Sequence, residues 1–248
     1  MTSLQTAARM LDETLLDQLF RFEGAFLRST CRLGSQVEGR RLIEFRDPHT
    51  CTELLGLYAH YYPAAPRAAL VSQWSMDLIC VTLALPLAAA AQNVRCTVRD
   101  PHVVLENGMP VAQVFAAGEV LPLHDPLAFV QQLLTDDMTP LVQALASAGR
   151  VAQRLLWNNV AAAIDVALDY FQMPQASQWR DCLFRERHWA DGTRNPLYGF
   201  LQRAPGPSGV PLLMRKVCCL HHQLGDARPY CDNCPLVPGA DITQPHQA

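Results

Sequence analysis

Lysine is almost missing from this chain: Lys216 is the only one, and arginine supplies the other nineteen of its 20 basic side chains. Charge of either sign is sparse, at 17% of residues with a formal net charge of −3. That balance excludes the broad positive face that grips a phosphate backbone, so no nucleic-acid partner is expected. A chain so poor in charge, with half its residues hydrophobic, is globular and not disordered. A long unbroken apolar run is also lacking. The longest, Leu78 to Ala91, is interrupted by Thr82 and Pro86 and is too short to span a bilayer, so it reads as a buried core helix. The opening segment MTSLQTAARMLDETLLDQLF has neither the basic leader nor the continuous apolar stretch of a secretion signal. The expectation is a cytoplasmic protein whose nine cysteines are thiols or metal ligands rather than disulfides. No Gly-rich dinucleotide fingerprint is found along the chain.

At 248 residues the chain can bury a sizeable core, as one large domain or one domain with a small appendage. Apolar side chains recurring on one face predict a first helix from about Leu4 to Arg28. A second is expected around Thr52 to Tyr61, stopped by Pro63. A third opens at Pro66, carries Leu70, Trp74 and Leu78, and bends at Pro86. The pattern then turns to strands at Val94 to Val98, Val103 to Leu105 and Val111 to Phe115. Asn107-Gly108 between the last two is a strong hairpin signal. Asp125-Pro126 reads as a helix N-cap followed by a first-turn proline, opening a helix to about Leu134. Further helices are expected from Thr139 to Ala148, from Val151 to Phe171 and through Trp179 and Leu183. Gly206-Pro207-Ser208-Gly209 is the clearest linker, and Val210 to Val217 a short strand that leads into the cysteines. The fold class is α+β, mostly helical, with a small antiparallel sheet of two or three strands and a C-terminal metal-binding appendage.

Four of the cysteines crowd that appendage in RKVCCLHHQLGDARPYCDNCPL: Cys218, Cys219, Cys231 and Cys234, spaced C-C-x11-C-x2-C. Such a cluster without a secretion signal points to a metal site. Cys-x2-Cys chelates well because two intervening residues let both thiolates turn back onto one metal. Adjacent cysteines diverge. They suit two sulfide-bridged irons, each completing its tetrahedron from the other pair, better than one tetrahedral zinc. An iron–sulfur cluster leads on this chemistry, with structural zinc and a redox disulfide as alternatives. The other five, Cys31, Cys51, Cys80, Cys96 and Cys182, lie singly in helix, strand or post-helix positions and read as small buried hydrophobes. His221 and His222 follow the cysteine pair and are read as exposed or outside the ligand set.

This ending resembles that of the FhuF-type ferric siderophore reductases: a basic residue, the Cys-Cys pair, and Cys-x2-Cys with a following proline. The family pattern is C-C-x10-C-x2-C, and the extra spacer residue here falls in the turn-like stretch Gly225 to Pro229, where a loop absorbs it. Weaker similarity covers SQWSMDLICVTLALPLAAA, LWNNVAAA and RNPLYG. The resemblance implies a [2Fe–2S] cluster held by Cys218, Cys219, Cys231 and Cys234. It implies one-electron reduction of Fe(III) in a siderophore, often of the hydroxamate type, in the cytoplasm or at the periphery of the inner membrane. With no dinucleotide fingerprint, the electron donor would be a protein such as a ferredoxin or flavoprotein. The corresponding organisation is a siderophore-binding α+β domain over residues 1–205 and a [2Fe–2S]-binding segment over residues 206–248. A non-catalytic siderophore-binding protein with a structural zinc site is the alternative. A siderophore-synthesis enzyme would need a nucleotide site for which the chain carries no phosphate loop.

Candidate substrate contacts come partly from this resemblance. Trp74 and Trp157 are candidates for lining a siderophore pocket, against an ordinary core role. Asn158 and Asn159 are polar within an otherwise apolar helix, which marks a special environment. Arg194 and Asn195 lie in a loop before the cysteines, where a capping or turn role is the plainer reading. Arg203, Arg215, Lys216 and Arg228 make the tail locally positive. They would either offset thiolate charge or attract an anionic siderophore or acidic donor protein.

Overall fold

The computed structural model describes residues 8–34, 39–204, 212–225, 230–231 and 233–236. In chain order, the strand β1 (Arg9–Met10) leads to helix α1 (Glu13–Leu19), a 3-10 segment (Phe22–Thr30), β2 (Cys31–Leu33) and β3 (Arg40–Arg41). Then come α2 (Pro48–Tyr58), α3 (Arg67–Ala90) and the strands β4 (Val94–Arg99), β5 (His102–Glu106), β6 (Met109–Phe115) and β7 (Ala117–Pro122). The helices α4 (Pro126–Leu133), α5 (Thr139–Gly149), α6 (Gln153–Tyr170) and α7 (Ala176–Phe184) follow, and the hairpin strands β8 (Leu201–Ala204) and β9 (Leu212–Arg215) precede the cysteines. The class is α+β and mostly helical, as the periodicity indicates.

Helix α3 organises the core. It is long and apolar enough to cross a membrane by length and composition, yet it is mostly buried within the protein, and it packs against β4, β6, α2, α4, α5 and α6. Trp74 is fully buried on it and donates its indole N–H to the Gly108 carbonyl at 2.7 Å. That carbonyl sits at the tip of the β5–β6 hairpin, where Asn107 and Gly108 both take positive φ (51° and 86°), the requirement of the turn type that Asn-Gly favours. A Cβ on Gly108 would stand 2.7 Å from that of Leu57, so the tip needs glycine for close approach as well as for its φ. The expected hairpin is present, and the strand system around it is larger than two or three strands. One sheet has the order β1-β7-β4, all antiparallel, and a second runs β2-β6-β5-β3 with β2 parallel to β6. Strands β1, β2 and β3 are two or three residues long, too short for alternation to register in a sequence.

The first helix differs from its expectation. Asp12 accepts a hydrogen bond from the Leu15 N–H at 2.7 Å and caps α1, so the helix starts at Glu13, and Arg9–Met10 pairs with β7 instead. Leu4 and Ala7 lie outside the described residues. The chain leaves helical geometry at Phe20 and turns extended at Arg21. The 3-10 segment beyond it lies close against the end of α6, where a Cβ on Gly24 would meet the Phe171 ring at 2.4 Å. Helix α2 starts earlier than expected because Asp47 caps the His49 and Thr50 N–H groups, with Pro48 in the first turn. Asp125 and Pro126 do the same for α4, as read. Pro66 stands at the N-cap of α3, and the helix runs through Pro86 to Ala90. Strand β9 lies within the expected segment and pairs with β8, a strand the sequence did not signal. This hairpin bridges the boundary drawn at residue 205, and the linker 206–209 lies outside the described residues.

Two stability predictions follow from α3. Trp74→Phe keeps an aromatic ring, though a smaller one, and leaves the buried Gly108 carbonyl without its donor, so urea denaturation should show a loss of at least about 1–3 kcal/mol. Burial pushes the Asp77 carboxyl up from 3.8 to about 7. The folded state therefore holds this proton more tightly than the unfolded chain, and a destabilising contribution grows between about pH 4 and pH 7 and is complete above that. Asp77→Asn should raise the melting temperature at pH 8 and leave it unchanged near pH 4, as followed by circular dichroism.

Candidate metal centre

Two backbone turns deliver the four clustered thiols. In the first, Leu220 takes the left-handed conformation (φ 63°) immediately after Cys219, an uncommon state for a bulky residue and a local strain of the kind functional sites store. The turn aims the Leu220 N–H at the Cys218 sulfur at 3.4 Å and brings the His221 N–H to the Cys219 sulfur. In the second, the Cys234 N–H bonds the Cys231 carbonyl at 3.0 Å, which closes the Cys-x2-Cys turn. The Cys219 and Cys231 sulfurs then lie 3.6 Å apart, and Cys218 interacts with Cys234. Each pair thus takes one thiol from Cys-Cys and one from Cys-x2-Cys.

This geometry suits a two-iron cluster. Two sulfurs bound at about 2.3 Å to one tetrahedral metal stand about 3.8 Å apart, close to the Cys219–Cys231 separation. Among the described residues no group of three or more His, Cys, Asp or Glu side chains gathers closely enough to hold a metal ion; the thiols meet as two pairs, and each pair would serve one iron of a two-iron cluster. Their electrostatics agree. A hydrogen bond from Cys231, the His221 N–H and the Arg215 charge bring Cys219 down to about 5. Cys231 is raised by that same hydrogen bond and by burial, and burial also raises Cys218. The proton shared between Cys219 and Cys231 must leave as metal enters. Burial instead pushes Cys31, Cys51 and Cys96 up to about 12 and Cys80 to about 11, and raises Cys182. Those five stay protonated thiols.

Polar side chains dock the cysteine segment onto α3 and α6. Asn158, fully buried on α6, donates to the Val217 carbonyl at 2.9 Å and accepts from the Val217 N–H at 3.4 Å, so it grips the residue before Cys218 on both sides. Gln73 of α3 donates to the Cys219 carbonyl at 2.8 Å. Asn159, also fully buried, donates to the Ser72 carbonyl and to the Ser72 and Ser75 hydroxyls at 2.9–3.1 Å, and accepts from Arg215 Nη1 at 2.8 Å. Arg215 continues the chain, with Nε to Asn233 Oδ1 at 3.0 Å and its backbone N–H to the Asn233 carbonyl at 3.1 Å. Asn233 lies between Cys231 and Cys234.

The residues singled out as substrate contacts are placed differently from one another. Trp74 is in the core, and Trp157 on α6 is buried with it. Asn158 holds the cysteine segment. Asn195 is buried and donates to the carbonyls of Cys182, Leu183 and Glu186, which caps the end of α7. Arg194 is exposed and bridges to His188 through the backbone. Arg203 and Lys216 are exposed and Arg215 is buried. His222 stands with Nδ1 3.8 Å from the Cys218 sulfur and its ring 5.1 Å from that of exposed Tyr230. Sequence reasoning missed an apolar cavity of about 240 Å³ between α3, α6 and the 3-10 segment. Met76, Cys80, Leu83, Ala163 and Val166 line it, Arg215 reaches it, and none of the other candidate contacts does. The small residues of α6 at Ala162, Ala163 and Ala167 were the available signal.

Comparison with known families bears on the same residues. Residues 81–208, just over half of the chain, match the family described as ferric iron reductase FhuF-like transporter. Residues 215–236 match the FhuF 2Fe-2S C-terminal domain, which assigns a [2Fe–2S] cluster to this segment and sets aside zinc and the redox disulfide. The chain is similar to the ferric siderophore reductase of Escherichia coli (strain K12), with 25% identity over 212 residues that cover 79% of this chain and 78% of the relative. With the central helices and the cysteine-bearing ending both matched, the chain belongs to the FhuF-like ferric iron reductase family.

Proposed function

We propose that this protein is a ferric siderophore reductase that transfers one electron to siderophore-bound Fe(III) and releases Fe(II) in the cytoplasm, free or at the membrane periphery. The observation that carries this reading is the pairing of Cys219 with Cys231 and Cys218 with Cys234 across two turns that side-chain hydrogen bonds dock on α3 and α6. A bound [2Fe–2S] cluster supplies a one-electron redox centre. Every other requirement falls to the chain's own residues. The four thiolates hold the irons. The amides of Leu220 and His221 point at the Cys218 and Cys219 sulfurs and favour their charged forms. Asn158 and Gln73 fix where the site stands against the helices.

The substrate step needs no acid–base group. Hydroxamate and related oxygen donors are hard ligands that hold Fe(III) tightly and Fe(II) much less so. One electron supplied by a donor protein such as a ferredoxin or flavoprotein therefore turns a tight complex into a labile one. Cys219 and Cys234 are buried while Cys218 and Cys231 are half-buried, so the site has a solvent-facing side at which a chelate and a donor can approach. Exposed Lys216 and Tyr230 stand beside these cysteines in the chain, and a cation and an aromatic ring suit an oxygen-rich, partly apolar chelate.

Two experiments test this reading. Cys231→Ser should lose the visible absorbance that bleaches with dithionite, together with reduction of a ferric hydroxamate followed by a ferrous-specific chromogenic chelator. Retention of both would remove the ligand assignment and the mechanism built on it. Asn158→Ala leaves the Val217 backbone unpaired and the cysteine pair loosely held, so cluster retention, read as iron per protein after gel filtration, should fall about 10–100-fold while the helical circular dichroism persists.

A further inference from the structure

Of the four cations that flank the clustered cysteines in the sequence, one is set apart by its surroundings. Arg203 and Lys216 face solvent, and Arg228 lies outside the described residues. Arg215 is 6% exposed. Its guanidinium bonds two neutral amide oxygens, Asn159 Oδ1 at 2.8 Å and Asn233 Oδ1 at 3.0 Å. Among the described residues no carboxylate forms an ion pair with it. A guanidinium out of water with no anion opposite it is costly, and a fold keeps one only where an anion arrives from elsewhere.

That anion is at hand. Asn233 is part of the Cys231–Cys234 turn, and Arg215, three residues before Cys218 in the chain, bonds it through both guanidinium and backbone N–H, at 3.0 and 3.1 Å. Four thiolates outweigh the positive charge of an iron–sulfide core, so the loaded centre is an anion, and reduction adds one more negative charge to it. A fixed positive charge in a poorly screened interior stabilises the more negative state more strongly.

We infer that Arg215 is the built-in countercharge of the cluster, that it raises the cluster's reduction potential, and that Asn159 is the positioning residue that aims it. The aim of Asn159 is itself fixed: Ser72 and Ser75 of α3 occupy its Nδ2 group, which leaves Oδ1 turned toward the guanidinium. A relay of neutral hydrogen bonds thus holds one charge still beside the redox centre, where a flexible surface cation such as Lys216 is screened by salt. The inference depends on the cluster and not on which ferric chelate is reduced.

The test is an anaerobic redox titration of the purified cluster-loaded protein, followed by EPR and visible absorbance, for the wild type and four variants. Arg215→Gln removes the charge and should move the midpoint potential to a more negative value. Arg215→Lys keeps the charge and should restore most of the shift. Asn159→Asp leaves Arg215 in place but pairs it with a carboxylate, and should also lower the potential, so it decides the matter if Arg215→Gln does not hold its cluster. Lys216→Gln should shift the potential less, and only at low salt. Wild-type potentials in cluster-loaded Arg215→Gln or Asn159→Asp would overturn the inference, because a purely structural arginine changes occupancy without changing the potential of the centres that remain.

Discussion

The position of the four thiols depends on side-chain amides that α3 and α6 present to the cysteine segment. Asn158 pairs with both backbone groups of Val217, and Gln73 takes the Cys219 carbonyl, so the segment that carries the cysteine pair is fastened at both ends. Asn159 and Arg215 extend the same seam to Asn233 and fasten the second pair. The Arg215–Asn159 bond is buried, and its alternative there is an unpaired polar group, at a cost of about 1–3 kcal/mol. A segment rich in turns is thereby placed as firmly as a strand, and the left-handed Leu220 can be held against its local preference.

The helices supply that seam only because the rest of the core fixes them. α3 is anchored at its first half by the Trp74–Gly108 bond to the hairpin tip and along its length by packing on α6 and β6. Ser72 and Ser75 lie on the same turn of α3 as Trp74 and meet Asn159 across the α3–α6 contact. The apolar cavity continues along the same contact beyond Arg215. At about 240 Å³ it is smaller than the roughly 300–1,000 Å³ of sites that enclose a whole ligand.

Much of this was legible in the sequence where a local signal carries it. The cysteine spacing, the Asn107-Gly108 turn and the Asp125-Pro126 helix start each depend on a few neighbouring residues, and each appears as read. The same Asp-Pro signal at Asp47-Pro48 was present and marks the start of α2. The polar pair Asn158-Asn159 announced an unusual environment, but its partners lie 56–87 residues away in the chain, and no spacing rule reaches that far. Apolar periodicity from Leu4 to Arg28 is compatible with one long helix; the Asp12 cap, a local contact that periodicity does not register, and the pairing of Arg9–Met10 with β7, a tertiary one, break it. Trp74 illustrates the limit in the other direction, since a tryptophan in a helix looks the same whether it lines a pocket or bonds a buried carbonyl.

The account stands or falls on whether an electron placed on this centre reaches siderophore iron. The direct measurement is an anaerobic single-turnover experiment in which the dithionite-reduced protein, freed of excess reductant, is mixed with a ferric hydroxamate siderophore and followed by stopped-flow absorbance and rapid-freeze EPR. The account predicts that the reduced-cluster signal disappears as oxidised absorbance returns, with one Fe(II) trapped per cluster. A reduced signal that persists beside untouched ferric siderophore, under conditions in which a soluble ferric salt does oxidise it, would contradict the account.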